Sequence, residues 1–236
     1  MPGGVPVLQL DHLTLTAPDF RLTANWQVAP AERIALIGPS GAGKSSLLMA
    51  LAGFVAPSRG RILWQGRDIT PLPPARRPVA ILFQDQNLFP HLTLTQNLGL
   101  ALDPNLALTE AHHARITQAL NRMGLAGLAR RKPGTLSGGQ AARAALARVL
   151  LQDRPILLLD EPFAALGPAL KADLLDLVAE IARDTGQTVL LVTHDPADVR
   201  RFAQRTVLVA DGLAQPPQPT ARLFAHPPQA LRDYLG

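Results

Sequence analysis

Two periodicities alternate along the chain. Val7 to Leu15 alternates apolar and polar residues, and Phe20 to Val28 does the same, with Ala17-Pro18-Asp19 as a turn between them. Both segments read as half-buried strands. Arg33-Ile34-Ala35-Leu36-Ile37 is instead a short continuous apolar run, the pattern of a strand covered on both faces, and the strand is predicted over Arg33 to Gly38. A glycine-rich segment follows, then Leu47-Leu48-Met49-Ala50-Leu51-Ala52, within a helix predicted over Ser45 to Phe54. Pro57-Ser58-Arg59-Gly60 predicts a turn and Arg61 to Gln65 a strand ending at Gly66, while Pro71-Leu72-Pro73-Pro74 excludes regular structure. Val79 to Phe83 is another short strand, ending at Gln84.

From Asp85 to about Leu151 the period becomes helical. Thr109 caps a helix with Glu110 early in it, running to about Met123. Arg130-Arg131-Lys132-Pro133-Gly134 is a loop, and a turn at Ser137 opens a helix from Gln140 to Leu151. Buried strands resume at Ile156–Asp160 and Val189–Thr193, separated by a helix from about Pro168 to Thr185. Val207–Ala210, Asp211-Gly212 and Leu213–Gln215 predict a hairpin, Pro216-Pro217-Gln218-Pro219 a linker, and Thr220–Ala225 and Pro228–Leu235 short helices. Strands alternating with helices predict a parallel, mostly buried sheet. The expected fold is α/β: one domain over 1–236, with a parallel-sheet core, an N-terminal antiparallel β-subdomain, an inserted helical subdomain at about 85–151, and a C-terminal helical tail at about 216–236.

Composition narrows the function classes. Apolar residues make up 47% of the chain, enough for a large core, yet no stretch approaches the roughly 20 apolar residues of a membrane span. No charged-then-apolar leader pattern opens the chain, and there is no cysteine, so a cytosolic setting is expected. The net charge of +5 raises the question of nucleic acid. Only Lys44, Lys132 and Lys171 are lysines, the arginines are dispersed, and no basic stripe interleaves with aromatics, so no nucleic-acid partner is expected. His12, His91, His112, His113 and His226 have no metal-ligand spacing.

The chemistry is concentrated in three segments. Gly38-Pro39-Ser40-Gly41-Ala42-Gly43-Lys44-Ser45-Ser46 is a complete G-x-x-x-x-G-K-S phosphate loop between a strand and a helix, the context the motif needs. Glycines let the loop close around phosphates and aim N–H groups inward, and the helix that follows presents its positive dipole end. Lys44 supplies a cation for the β- and γ-phosphates, and the Ser45 hydroxyl can ligate Mg²⁺. The second segment, Ile156-Leu157-Leu158-Leu159-Asp160-Glu161-Pro162, is a buried strand ending in two acids. Asp160 can hold Mg²⁺ through water, and Glu161 can polarise an attacking water. The third, Leu136-Ser137-Gly138-Gly139-Gln140, is a glycine turn opening a helix. An apolar run ending in acids, or a Ser-Gly-Gly turn, is common in isolation; in this order beside a phosphate loop the combination is specific.

In these motifs the chain resembles the ATP-binding cassette (ABC) ATPases, from about Leu8 to Gly236. The resemblance implies a phosphate-loop NTPase core, bound ATP and Mg²⁺, and further roles for matching residues. Gln84, at the junction of a core strand with the helical insertion, matches a glutamine that touches Mg²⁺ and the attacking water and senses a membrane partner. His194, after the strand Val189–Thr193, matches a histidine that orients the water and Glu161 at the γ-phosphate. Ser137, Gly138 and Gly139 match a signature that covers the ATP of a second chain, which implies a closed head-to-tail homodimer held by ATP. The family also implies an integral-membrane permease partner, an indirect periplasmic binding protein, and a peripheral location on the cytoplasmic face of the bacterial inner membrane.

Three departures stand out. Ala164-Ala165-Leu166-Gly167 replaces the usual Ser-Ala-Leu-Asp, so weaker coupling between two ATP sites is expected, with hydrolysis retained through Glu161. The helix after Gln140 lacks the common polar opening, although Arg143 and Arg148 remain. No adenine-stacking aromatic appears between Leu15 and Pro18; Phe20 is the nearest candidate but is expected to be a core-strand residue, so weak nucleobase selectivity is expected. Within the family, Pro78 to Thr93 and Gln96 to Pro104 are most similar to the ATP-binding subunits of bacterial thiamine importers, and ferric iron, sulfate, molybdate and polyamine importers share much of the pattern. Leu88 and Phe89, in the segment Asn87 to Thr95, are expected to be exposed as a docking surface. A soluble cassette protein of DNA repair or translation, or a non-hydrolysing ATP-binding module, is the alternative of a different class.

Overall fold

The structure, a computed structural model, describes residues 7–18, 20–85 and 88–235. Asp19 of the predicted first turn, Asn87 at the start of the predicted docking segment and Gly236 at the end of the tail lie outside the described residues. The chain forms two compact units, one comprising the chain to Val79, Pro155–Glu161 and Leu175 onward, the other Ala80–Arg154 and Pro162–Leu174.

The first unit begins with β1 (Leu8–Ala17) and β2 (Phe20–Val28), an antiparallel pair. Alternation in β1 is not continuous. Leu8, Leu10, Leu13 and Leu15 are all buried, and the register shifts between Leu10 and Leu13, where His12 takes a φ of 48°. The extra residue of this bulge restores the apolar face that a strict two-residue period would turn to solvent after Asp11. β4 (Arg59–Trp64) pairs with the outer side of β1, and β5 (Arg67–Asp68) with β4, all antiparallel.

The parallel half contains β3 (Arg33–Ile37), β7 (Ile156–Asp160), β8 (Thr188–Val192) and β9 (Arg205–Ala210). Their order is β9-β3-β8-β7, and β3 and β8 are buried almost throughout. β10 (Leu213–Ala214) pairs antiparallel with β9 and parallel with β2, so the two halves make one sheet. Thr206, in β9, shares a 2.8 Å hydrogen bond with Thr220, both buried. The segment 216–219 is not a free linker: β11 (Gln218–Pro219) pairs with β9, and Arg205 Nη2 donates to the Pro217 carbonyl at 2.7 Å.

Helices complete the unit: α1 (Lys44–Ala52), the later part of α5 (Pro168–Thr185), α6 (Pro196–Phe202), α7 (Thr220–Ala225) and α8 (Gln229–Leu235). Sequence periodicity did not predict α6, a two-turn helix opened by Pro196 and capped by Asp195, which accepts from Ala197 N–H at 2.9 Å. α1 ends at Gly53, in the left-handed region at φ 90°, which frees carbonyls at its last turn. Arg77, 2% exposed, bonds to two of them.

In the second unit, β6 (Val79–Leu82) leads to α2 (Leu94–Gly99), α3 (Glu110–Arg122) and α4 (Gly138–Leu150), each opened by a capping box whose N-cap is Thr93, Thr109 and Ser137 respectively. Buried Asn97 holds the approach to α2. Its Nδ2 donates to the carbonyls of Phe89, Leu92 and Thr93 at 3.1, 3.1 and 3.0 Å, and its Oδ1 accepts from Phe89 N–H at 2.8 Å.

Candidate active site

β3 ends at Ile37 and the chain turns through the glycine-rich loop into α1. Three glycines are required by geometry. Gly41 and Gly43 have φ of 76° and 97°. A Cβ at Gly38 would overlap the Val209 carbonyl oxygen, and one at Gly43 the Phe20 ring. Lys44, the first residue of α1, folds back over the loop. Its Nζ donates to the carbonyls of Gly38 at 2.7 Å and Pro39 at 2.8 Å. Burial pushes its pKa down, opposed by Glu161 and then Asp160. A partly desolvated ammonium held by neutral carbonyls beside a helix N-terminus is poised to exchange them for a phosphate oxygen.

β7 brings its two terminal acids to this loop. Ser45 Oγ donates to Asp160 Oδ1 at 2.9 Å. Burial pushes the Asp160 carboxyl above its ordinary range; the Ser45 bond opposes this, Glu161 adds to it, and Lys44 opposes it. Glu161 takes a φ of 44°, a left-handed conformation that costs a non-glycine residue about 1 kcal/mol or more. Its N–H donates to the Val192 carbonyl at 3.0 Å, so sheet bonding from β8 sustains the turn. From this turn the Glu161 side chain reaches the loop that follows β8. There the His194 Nδ1 and Glu161 Oε2 are 2.9 Å apart, a hydrogen bond in which the tautomer with its proton on Nδ1 donates to the carboxylate oxygen.

The His194 loop is itself held. Buried Asp198, on α6, accepts from Thr193 Oγ1 at 2.7 Å, and Thr193 Oγ1 accepts from Asp195 N–H at 3.1 Å. A cavity of about 700 Å³ opens between these groups, lined by Ala17, Phe20, Ser40, Gly41, Gly43, Lys44, Ser45, Ser46, Glu161, His194 and Tyr234. Phe20 is therefore not a core-strand residue. β2 begins at it, and its ring lies half-buried against Gly43 on the cavity wall. No sequence pattern marks Tyr234, which also lines this cavity. A lone tyrosine near a chain end carries no spacing signal, and only the packing of α8 brings it here, with its hydroxyl donating to the His194 carbonyl.

The other predicted site residues lie in the second unit. Gln84 is exposed in the turn after β6. Leu136 to Gln140 opens α4: Ser137 Oγ accepts from Gln140 N–H at 3.3 Å, and Gln140 Oε1 accepts from Ser137 N–H at 3.0 Å. Gly139 is required because Leu170 packs where its Cβ would be, whereas a side chain at Gly138 would find space. Gly167 is exposed and has no atom within 4 Å of an added Cβ. Phe89 is 40% exposed, with the Arg148 guanidinium 4.9 Å from its ring centroid. Leu88 is half-buried, not exposed as expected.

For a divalent ion the first unit offers one hydroxyl and one carboxylate, Ser45 and Asp160. Among the described residues no group of three or more His, Cys, Asp or Glu is arranged to hold a metal ion. Two hard oxygen donors fit Mg²⁺, which keeps several waters and takes other ligands from phosphate; they do not fit zinc or iron.

Residues 22–164 match the family described as ABC transporter. The thiamine import ATP-binding protein ThiQ of Cereibacter sphaeroides is 67% identical over 230 residues, covering 98% of this chain and all of that protein. The protein of the same name from Ruegeria sp. (strain TM1040) is 55% identical over equal coverage. Among solved structures, CbiO1 of Clostridium perfringens, described as part of the ABC transporter complex cbiONQ, aligns with a TM-score of 0.80 at 27% identity, covering 94% of this chain and 92% of that one.

Proposed function

The chain belongs to the ABC transporter family, and on that premise we propose that it is the ATP-hydrolysing subunit of an importer for thiamine or its phosphate esters. The observation that carries the ATPase reading is the meeting, in one cavity, of Lys44, Ser45, Glu161 and His194, with Asp160 hydrogen-bonded to Ser45. The cargo rests on the relatives named for thiamine import, since the transported solute has no chemistry in this site.

The triphosphate of ATP lies in the loop from Gly38 to Ser46, its oxygens taking N–H groups of the loop and the first turn of α1. Lys44 leaves its carbonyl partners for the β- and γ-phosphates. Ser45 and Asp160 would hold Mg²⁺, which would supply positive charge to offset that of the phosphates. Glu161 accepts a proton from the water whose oxygen attacks the γ-phosphorus, and the bond to the leaving β,γ-bridging oxygen breaks as the new one forms. His194, bonded to Glu161 through Nδ1, holds the carboxylate in direction toward the attacking water. The intact Glu161–His194 pair favours hydrolysis over a non-hydrolysing binding module.

The signature Leu136-Ser137-Gly138-Gly139-Gln140 acts in trans, so ATP joins two copies head to tail. Phe89 and its neighbours meet a cytoplasmic segment of the membrane permease, which places the chain peripherally at the inner membrane; a periplasmic binding protein delivers the solute from the other side. The test is uptake of labelled thiamine by cells with and without the gene, complemented by wild type and by Phe89→Asp. Loss on deletion, rescue by wild type and failure of Phe89→Asp support the reading. Unchanged thiamine uptake with loss of another solute would discard the cargo and keep the motor.

A further inference from the structure

Tyr234 joins the C-terminal helix to the catalytic histidine. α8 is short, and three features fix it. Leu231 is fully buried. Arg232 Nη1 donates to the Pro227 carbonyl at 2.7 Å, and Arg232 Nη2 to Gln229 Oε1 at 2.7 Å. The following turn brings the Tyr234 ring, half-buried, to the wall of the nucleotide cavity, and its hydroxyl donates to the main-chain carbonyl of His194. Burial pushes the phenol pKa up, with Glu161 and Asp195 adding to the rise, so it stays protonated and a donor throughout the neutral range.

The consequence follows from where His194 sits. Thr193 is fixed on one side by Asp198, and Asp195 on the other by its cap to Ala197. His194 between them has an exposed side chain, 60% accessible, whose Nδ1 pairs with Glu161. The Tyr234 hydroxyl bonds the backbone of that same residue. We propose that Tyr234 is a positioning residue for hydrolysis: by bonding the His194 carbonyl it sets the peptide orientation that aims the imidazole at Glu161, so the docking of α8 governs turnover. This rests on the hydrolytic roles of Glu161 and His194 proposed above. It predicts a selective effect. Removing the hydroxyl loosens aim in the transition state without removing any contact to the phosphates, so kcat falls and KM does not.

The experiment is steady-state Mg²⁺-ATP hydrolysis by the purified full chain: wild type, Y234F, H194A and the double variant, each with a melting curve and a fluorescent-nucleotide titration. Y234F keeps the ring and should melt as wild type does, bind nucleotide within 2-fold, and lose about 5- to 10-fold in kcat; adding it to H194A should cost nothing more, because the two act as one unit. Wild-type kcat in Y234F overturns the proposal, as does an equal loss in both backgrounds or a rise in KM that marks a direct nucleotide contact. A wild-type chain without ATPase activity, or an H194A chain with full activity, would remove the hydrolytic reading and the proposal together; an active wild type, an impaired H194A and a fully active Y234F would remove Tyr234 alone.

Discussion

Replacing Arg77 by methionine isolates a device that the fold hides at the far end of the phosphate-loop helix. Its guanidinium donates four bonds to main-chain carbonyls: Nη1 to Ala50 at 2.6 Å and Leu51 at 3.0 Å, Nη2 to Thr70 at 2.8 Å, and Nε to Leu72 at 2.9 Å. Two acceptors belong to the last turn of α1, so the cation also meets the negative end of the helix dipole. Bonds from a charged donor contribute about 1.5–3 kcal/mol each, a gross of about 6–12 kcal/mol. Burying the guanidinium costs several kcal/mol, and that cost is what lowers its pKa, with Asp68 opposing. Arg77→Met keeps most of the volume, removes the burial cost, and strands carbonyls; Ala50 retains the Gly53 N–H at 3.2 Å. The balance is a loss of about 3–5 kcal/mol, or about 6–20 °C in Tm for a chain of this size. Arg77→Lys should recover little, because an ammonium cannot reach four acceptors in a planar fork. The assay is urea unfolding with nucleotide titration of the folded protein; affinity should also fall, since α1 carries Lys44 and Ser45 at its other end. A variant within 1 kcal/mol of wild type, or full rescue by lysine, would refute this reasoning.

Glu161→Gln should reduce kcat by about 10²–10⁴-fold while retaining ATP and forming an ATP-dependent dimer on size exclusion; near-normal turnover would remove Glu161 as base. Lys44→Ala should lose most affinity in a fluorescent-nucleotide titration, and unchanged binding would contradict the role given to its ammonium. Phe20→Ala should weaken ATP binding by about 1–3 kcal/mol if a base stacks on the ring beside Gly43; equal affinities of wild type and variant would leave Phe20 a purely structural role and keep the expectation of weak nucleobase selectivity. Asp160 titrates higher in the folded chain than unfolded, so its ionisation is a penalty that is absent below its unfolded pKa, grows as pH rises toward the folded pKa, and is complete above it. Asp160→Asn should therefore raise Tm of the nucleotide-free chain at neutral pH, leave it unchanged in acid, and abolish protection by Mg²⁺-ATP; a lower Tm at neutral pH would reverse the sign of the argument.

Local chemistry made most of the architecture and the anchor of the site readable in the sequence. Continuous apolar runs at Ile34–Ile37, Ile156–Leu159 and Val189–Val192 can be satisfied only by burial on both faces, so a parallel sheet follows from them. The phosphate loop is contiguous, and its glycines are required by backbone angles set within a few residues. Thr109 and Ser137 announce helix starts because a cap is a contact across three residues. What the sequence left open depends on groups far apart along the chain. The bulge at His12 and the pairing of Gln218–Pro219 with β9 rest on partner strands, which no local period records. Phe20 reads as an ordinary strand aromatic until Gly43 is placed beneath its ring. Arg77 reads as a surface arginine in a proline-rich turn until the end of α1 is placed against it. The left-handed turn at Glu161 and the bond from Tyr234 to His194, 40 residues apart, exist only because sheet order and helix docking bring those backbones together. A sequence specifies which residues can carry charge, turn or cap; the distances at which they act are set by the packing of the whole first unit.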